Sequence, residues 1–181
     1  MKAKITKEII LDAAFEIVQK KGIGGLSNRE IAKRLNCSIR PIYYRFKNVS
    51  ELNKELYTKM GKYFYKFLLD NIKSTIPAYK QVGINYIKFA QKEKNLFKAL
   101  FMSDTNLFVS EFITKDEDYK ELEKIIKDCT KLDDVMSFHS KMWLFTHGIA
   151  TLIATSTIKF NEQEISELLS YEFKALLEME R

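Results

Sequence analysis

Cysteine, proline and histidine each occur only twice in this 181-residue chain, and glycine six times. Cys37 and Cys129 match no metal-ligand spacing and build no disulfide framework, which points to a reducing compartment and a cytoplasmic protein. Six glycines and two prolines leave little room for linkers or low-complexity segments, and no internal repeat is visible. The N-terminal residues Met-Lys-Ala-Lys-Ile contain no apolar core of a signal peptide. The two histidines, His139 and His147, lie eight apart, so neither His-x-x-x-His nor His-Glu-x-x-His metal spacing exists. Ser140 and Cys129 are possible nucleophiles by type, but neither sits in a nucleophile elbow or an oxyanion-forming turn. These absences argue against an enzyme, a metal site and a bound cofactor. His139 reads as a surface residue, and His147 as a hydrogen-bonded core or interface residue.

What is present is helix-forming sequence with a strongly uneven charge. Residues 1–50 hold 11 of the 30 Lys and Arg but only 4 of the 24 Asp and Glu, so the net positive charge belongs to the N-terminus. Solubility needs no such segregation, whereas a phosphate-binding module does. No long basic amphipathic helix favours a membrane surface instead.

Residues 27–47 refine this reading. Ser27 and Glu30 have the spacing of a capping box, and Leu26 with Ile31 that of a hydrophobic staple. Ile31, Ala32 and Leu35 then give a two-turn helix its apolar side. Asn36 tolerates the left-handed conformation of a sharp turn. Ser38 is expected to cap a second helix, with Pro41 at its third position, where no intrahelical donor is lost. Ile39, Ile42, Tyr43 and Phe46 recur at helical spacing and form its packing side. Arg40, Pro41, Tyr44, Arg45 and Lys47 are left facing outward. Two short helices, the second with cations and tyrosines on its free face, are the layout of a helix-turn-helix that presents its second helix to the DNA major groove.

Thr6–Lys21, Ser27-x-x-Glu-Ile-Ala, Cys37-Ser38, Ile42-Tyr43-x-x-Phe46 and Leu52 together resemble the DNA-binding domain of the TetR family of bacterial regulators. The resemblance implies an all-α protein of about nine helices. A three-helix DNA-binding domain (1–47) is followed by a helical effector-binding and dimerisation domain (48–181). Two positions depart from the family pattern. Asn36 replaces the usual turn glycine, and Val49 replaces the Lys that commonly opens the fourth helix and touches a phosphate. That contact is lost or passes to Lys47 or Lys54.

Arg40 suits a bidentate contact to guanine, and Ile39 and Pro41 suit a thymine methyl. Tyr44 shares the outward face with Arg40, one turn away. Asn28, Arg45 and Lys47 are phosphate anchors, Ser38 stands at the helix start, and Lys2, Lys4 and Lys7 form a basic arm. The resemblance adds Arg29, at a position able to reach a base or phosphate, and directs Tyr43 to the sugar–phosphate backbone. Packing is the alternative for Tyr43.

Downstream, helices are expected from Asn48 towards Ser74, from Tyr79 to Lys94, near Asn95–Ser103 and Leu107–Thr114, and across Lys115–Cys129. From Met142 to Ile158 apolar or small residues surround the whole helix, which predicts burial on every side. The run is too short and too rich in hydroxyl groups to cross a membrane. Asn161 with Glu164 opens the last helix, whose stripe contains Ile165, Leu168, Leu169, Phe173, Leu176 and Leu177.

The resemblance implies that the last two helices pair with those of a second copy. Gly148, Thr151, Thr155, Ile165, Leu169, Phe173 and Leu176 are the expected interface, and an intramolecular bundle is the alternative. Trp143-Leu-Phe-Thr-His147-Gly148 resembles the Trp-x-x-x-His-Gly signature of one TetR subgroup. Nineteen of the 23 aromatics fall after residue 47. Aromatic and Met walls make adaptable apolar pockets, so the expected effector is small and lipophilic or aromatic. Phe64, Phe67, Tyr86, Phe89, Phe101, Trp143 and His147 are its expected lining. The expected function is a homodimeric repressor that binds a near-palindromic duplex operator and is released by that effector. The alternative, suggested by Val49, is a helical ligand-binding module without sequence-specific DNA binding.

Overall fold

A computed structural model describes residues 5–72, 76–103 and 117–180. Among the described residues there are nine α-helices, one 3-10 turn and no strand. By internal packing the chain divides into Met1–Tyr63 with Glu93–Phe112, and Phe64–Lys92 with Ile113–Arg181. The helix expected near Leu107–Thr114 lies outside the described residues.

The first unit begins with α1 (Lys7–Lys21), capped by Thr6 Oγ1, which accepts from the Ile9 amide at 3.2 Å. Ile10, Leu11, Ala14, Ile17 and Val18 are its buried stripe. Gly22 ends it at φ 75°, a conformation that a side chain would strain. After a 3-10 turn at Ile23–Gly25, Ser27 caps α2 (Asn28–Arg34) by accepting from the Glu30 amide. Only half of the expected box forms, because the Glu30 carboxylate pairs with Lys21 at 2.6 Å. Asn36 takes φ 48°, and the Asn36 and Cys37 amides donate back to Lys33 and Ala32, closing a Schellman turn.

The next helix, α3 (Arg40–Arg45), corrects the expected start. Ile39 occupies the cap without a side-chain hydrogen bond, and Pro41 is the second helical residue. Asn48 Oδ1 accepts from the Glu51 amide at 2.8 Å and starts α4 (Val49–Leu69). Glu51 in turn accepts from the Lys47 backbone amide at 2.6 Å. Leu52, Leu56, Tyr57 and Met60 of α4 are buried. So are Leu96, Phe97, Ala99 and Leu100 of α6 (Lys94–Phe101), which packs on α1 although far from it in sequence.

The second unit contains the end of α4, α5 (Ala78–Lys92), α7 (Glu117–Thr130), α8 (Val135–Ala154) and α9 (Glu162–Met179). Helix α4 stops at Leu69, short of the expected Ser74, because buried Asn85 caps it. Its Nδ2 donates to the carbonyls of Leu68 and Asp70 at 2.9 and 2.8 Å. Gly83 permits close approach of α5 and α9, since a Cβ there would stand 3.2 Å from Leu169 Cδ1. The full capping box at Asn161 and Glu164 forms.

Helix α8 is capped by Asp134 and is not buried all round. It packs on α5, α7 and α9. The opposite side leaves Leu144 63 % exposed and Gly148 and Thr155 in the open. Apolar composition around a helix states a need for cover, and one chain covers only part of it. Among the described residues no helix is long and apolar enough to cross a membrane.

Candidate nucleic-acid interface

Helix α3 is held from beneath by Ile42 and Phe46, 2 % and 3 % exposed. The other two members of its expected packing side turn outward. Ile39 is 42 % exposed and Tyr43 59 %, because a six-residue helix has only enough turns to bury one pair. Tyr43 is thus not a core residue. Tyr44 is 87 % exposed, an extreme value for so large an apolar ring, and Arg40 and Ser38 are exposed beside it. Pro41 and Asn28 are half-buried, while Arg29, Arg45 and Lys47 are exposed.

The cations of this unit separate into two sets. Lys7 pairs with Glu51 at 3.1 Å and with Glu55, and lies 4.9 Å from the Phe46 ring centre. Those carboxylates hold its ammonium above the usual lysine range. Lys7 is therefore a brace of α1 against α3 and α4, which corrects its place in a basic arm; Lys2 and Lys4 lie outside the described residues. Lys21 pairs with Glu30, Arg34 with Glu16, and Lys59 with Asp12 at 2.7 Å and with Glu8. Arg45 is tied to the chain's start, its Nε donating to the Ile5 carbonyl at 3.2 Å.

Among the described residues Arg29, Arg40 and Lys47 make no ion pair. Lys20, Lys33, Lys62 and Lys98, on other helices of this unit, also make none; Arg40 and Lys47 are the ones on or beside α3. Val49 is 55 % exposed at the first turn of α4, with Lys54 exposed one turn on. The Lys47 amide and Lys7 hold the Glu51 carboxyl below its usual range, which keeps this acceptor charged at the junction of α3 and α4.

Six of the seven expected pocket residues lie in the second unit. Phe64 meets Phe89 edge-on at 5.1 Å and Tyr86 at 5.5 Å, and Phe67 meets Phe89 at 5.3 Å. Tyr86 Oη is 2.8 Å from His147 Nδ1, and the His147 ring stacks on Trp143 at 5.0 Å. Phe101 is the exception. It sits on α6 in the first unit, 5.0 Å from Phe97, because its helix packs with α1. A second pair, Tyr79 Oη and His139 Nδ1 at 2.9 Å, was not legible in the sequence. His139 is half-buried and bonded to Tyr79, not the expected surface residue, and burial pushes its imidazole down to about 4. Burial also raises the Tyr79 and Tyr86 phenols and lowers the His147 imidazole, so each pair is a neutral hydrogen bond.

Of the expected dimer residues, Ile165 and Leu169 are each 2 % exposed, consumed by packing within the chain. Thr151, Phe173 and Leu176 are half-buried, and Gly148 and Thr155 exposed. The open apolar positions nearby are Leu144, and Tyr171 and Met179 of α9. Sequence periodicity marked the stripe but could not divide it between inner and outer sides.

Residues 10–56 match the model of the bacterial regulatory proteins of the tetR family. The chain is 21 % identical over 177 residues to an uncharacterized HTH-type transcriptional regulator, YobS, of Bacillus subtilis (strain 168), covering 96 % of this chain and 91 % of that one. A TetR-family transcriptional regulator from Haemophilus influenzae RD superposes with a TM-score of 0.71 at 18 % identity, covering 93 % of this chain and 94 % of that one. The flavonoid-responsive regulator FrrA superposes at 0.60 with 16 % identity, covering 96 % and 95 %. The helix-turn-helix thus matches the tetR family of bacterial regulatory proteins over residues 10–56, and the chain shares the all-helical fold of the TetR-family structure it superposes on.

Proposed function

We propose that the protein is a homodimeric transcriptional repressor that binds a near-palindromic duplex operator through α3. The exposed face of α3, where Tyr43 and Tyr44 stand beside unpaired Arg40, carries this reading. The first unit neutralises Lys7, Lys21, Arg34 and Lys59 internally but leaves Arg29, Arg40 and Lys47 unpaired around an α3 that exposes Tyr43 and Tyr44. Unpaired cations and exposed tyrosines suit phosphate and base-edge contacts. Arg40 and Tyr44, with Ile39 and Pro41, face the bases. Asn28, Arg29, Ser38, Tyr43 and Lys47 hold the backbone, and Arg45 contributes while anchoring Ile5.

Dimerisation supplies the two-fold axis. Leu144, Gly148, Thr151 and Thr155 lie along one side of α8 that the described residues leave largely open, and Phe173 and Leu176 of α9 are half-buried. Pairing through that face would set two α3 helices roughly 34–36 Å apart, or a multiple, on successive turns of DNA. Trp143, His147 and Gly148 fit the Trp-His-Gly subgroup. An aromatic effector fits the edge-on cluster of Phe64, Phe67, Tyr86 and Phe89 with the Trp143–His147 stack, and the name of FrrA shows that a protein of this fold responds to flavonoids. By linkage, effector and operator would each weaken the binding of the other.

Selection from a random duplex pool at moderate salt tests this reading. The expected result is a near-palindrome with half-sites about one helical turn apart. An unenriched pool with weak, salt-sensitive retention would overturn it and leave a ligand-binding module without sequence reading.

A further inference from the structure

The chain leaves the first unit after Tyr63 and returns to it at Glu93. These two boundary residues are hydrogen-bonded to each other. Tyr63 Oη donates to Glu93 Oε1 at 2.9 Å, and Gln19 Nε2 lies 3.1 and 3.0 Å from the two oxygens of the same carboxylate. Asn95 Nδ2 adds a bond to the Gln19 carbonyl at 3.0 Å, which supplies a partner at the C-terminal end of α1. Three helices therefore meet at one carboxylate: the last turn of α1, the middle of α4 and the start of α6.

The position of Glu93 makes this arrangement informative. It is the N-cap residue of α6, where an acidic side chain ordinarily accepts from the first-turn amides. Here the side chain makes no capping bond and turns instead to α1 and α4. The edge of the Tyr63 ring packs with Phe15 of α1 at 5.2 Å, which orients the phenol. Burial and the adjacent carboxylate push that phenol up to about 12, so it remains a donor throughout the neutral range.

The other end of α1 carries Lys7, which braces Phe46 at the end of α3 and Glu51 and Glu55 on α4. Helix α1 is thus a strut of 15 residues, about 22 Å long, tied to Glu93 at one end and to the recognition helix at the other. We propose that Glu93 is a positioning residue for DNA binding, tying the outgoing helix α4 and the returning helix α6 to α1 and so fixing the seat of α3 from the far end of that strut. This rests on the operator-binding reading above.

The test uses the full chain and the duplex recovered by selection. Glu93→Ala should weaken operator binding roughly fivefold or more. The salt slope should not change, because no phosphate contact is removed. Tyr63→Phe should weaken binding less, and the double variant should bind no worse than Glu93→Ala alone, as members of one network do. Glu93→Gln keeps an oxygen acceptor for Tyr63 and should restore most of the affinity. Hydrogen exchange should quicken in the last turn of α1 and the first turn of α6 in Glu93→Ala.

Faster exchange with unchanged affinity would make the tie merely structural and overturn the proposal. An altered salt slope would show that Glu93 acts through its charge on the DNA, which also overturns it. If Glu93→Ala does not fold, Tyr63→Phe, which removes one hydroxyl, carries the test by the same readouts, and unchanged affinity sinks the idea. A wild-type protein that retains no duplex would instead refute operator binding itself, an outcome visible before any variant is measured.

Discussion

The two packing units handle polar groups in different ways. The first keeps its chemistry on the surface: Lys7, Lys21, Arg34 and Lys59 are matched by carboxylates, while Arg29, Arg40 and Lys47 remain unpaired beside an α3 whose Tyr44 is 87 % exposed. The second adds neutral pairs in its interior to the surface ion pairs of Lys88 with Glu162 and Lys141 with Glu180. Inside, Tyr79 is hydrogen-bonded to His139, Tyr86 to His147, and Asn85 closes the end of α4. Charge serves a partner that arrives from solvent. Neutral hydrogen-bonded pairs serve an interior where an unpaired polar group is costly. Substitutions on the surface of the first unit and in the interior of the second should therefore be felt differently.

The largest effect should come from the interior. Phe89, fully buried and in edge contact with Phe64 and Phe67, should cost about 3–5 kcal/mol of stability as Phe89→Ala. Urea denaturation of this variant beside Tyr44→Ala sharpens the contrast. The exposed tyrosine should change stability by no more than about 0.5 kcal/mol while lowering operator affinity. Equal destabilisation by both would break the comparison.

Next comes His139. Its folded-state pKa, about 4, lies below the unfolded value of about 6.5, so the unfolded chain takes up a proton that the folded chain refuses. The stability is fully present above about pH 6.5 and declines as pH falls towards 4, by roughly 2–3 kcal/mol. His139→Gln should flatten the urea midpoint across that window relative to wild type. A parallel decline in both proteins would remove His139 as the cause.

Arg40→Ala should cost about 1–3 kcal/mol on the selected operator and relax preference at one base position. Equal losses on operator and scrambled duplex would make Arg40 a backbone anchor. The smallest effect belongs to Lys47→Ala, which should weaken binding on all sequences alike and lower the salt slope by about one contact. A Lys47→Ala protein that loses sequence preference would reverse its assignment and Arg40's.

Local signals proved readable where nothing competed for them. Asn161 and Glu164 were legible as a capping box and form one, since both side chains are exposed and uncommitted elsewhere. Asn36 was legible as the left-handed turn residue for the same reason. Ser27 and Glu30 have identical spacing yet form half a box, because Lys21, nine residues upstream, claims the Glu30 carboxylate. Ser38 lost the cap of α3 to Ile39. At the candidate interface, charge segregation and the outward positions of Arg40, Tyr44 and Lys47 could be read from periodicity. The inward turn of Lys7 could not, because Glu51 and Glu55 lie more than forty residues away.

The sequence by itself determined that this chain is helical, that its basic charge gathers around a helix-turn-helix, and that its later helices are rich in aromatics. Those properties follow from spacing, capping chemistry and composition, which act over one or two turns. Only the tertiary structure decided which cations are neutralised, which side of α8 stays open, why Phe101 parts from the other aromatics, and that Gln19, Tyr63 and Glu93 share one carboxylate. Many of these depend on partners far apart in sequence, 30 residues for the bond from Tyr63 to Glu93 and 76 for that from Asn95 to Gln19. Such partners meet through helix packing, and no periodicity along the chain encodes which of them will touch.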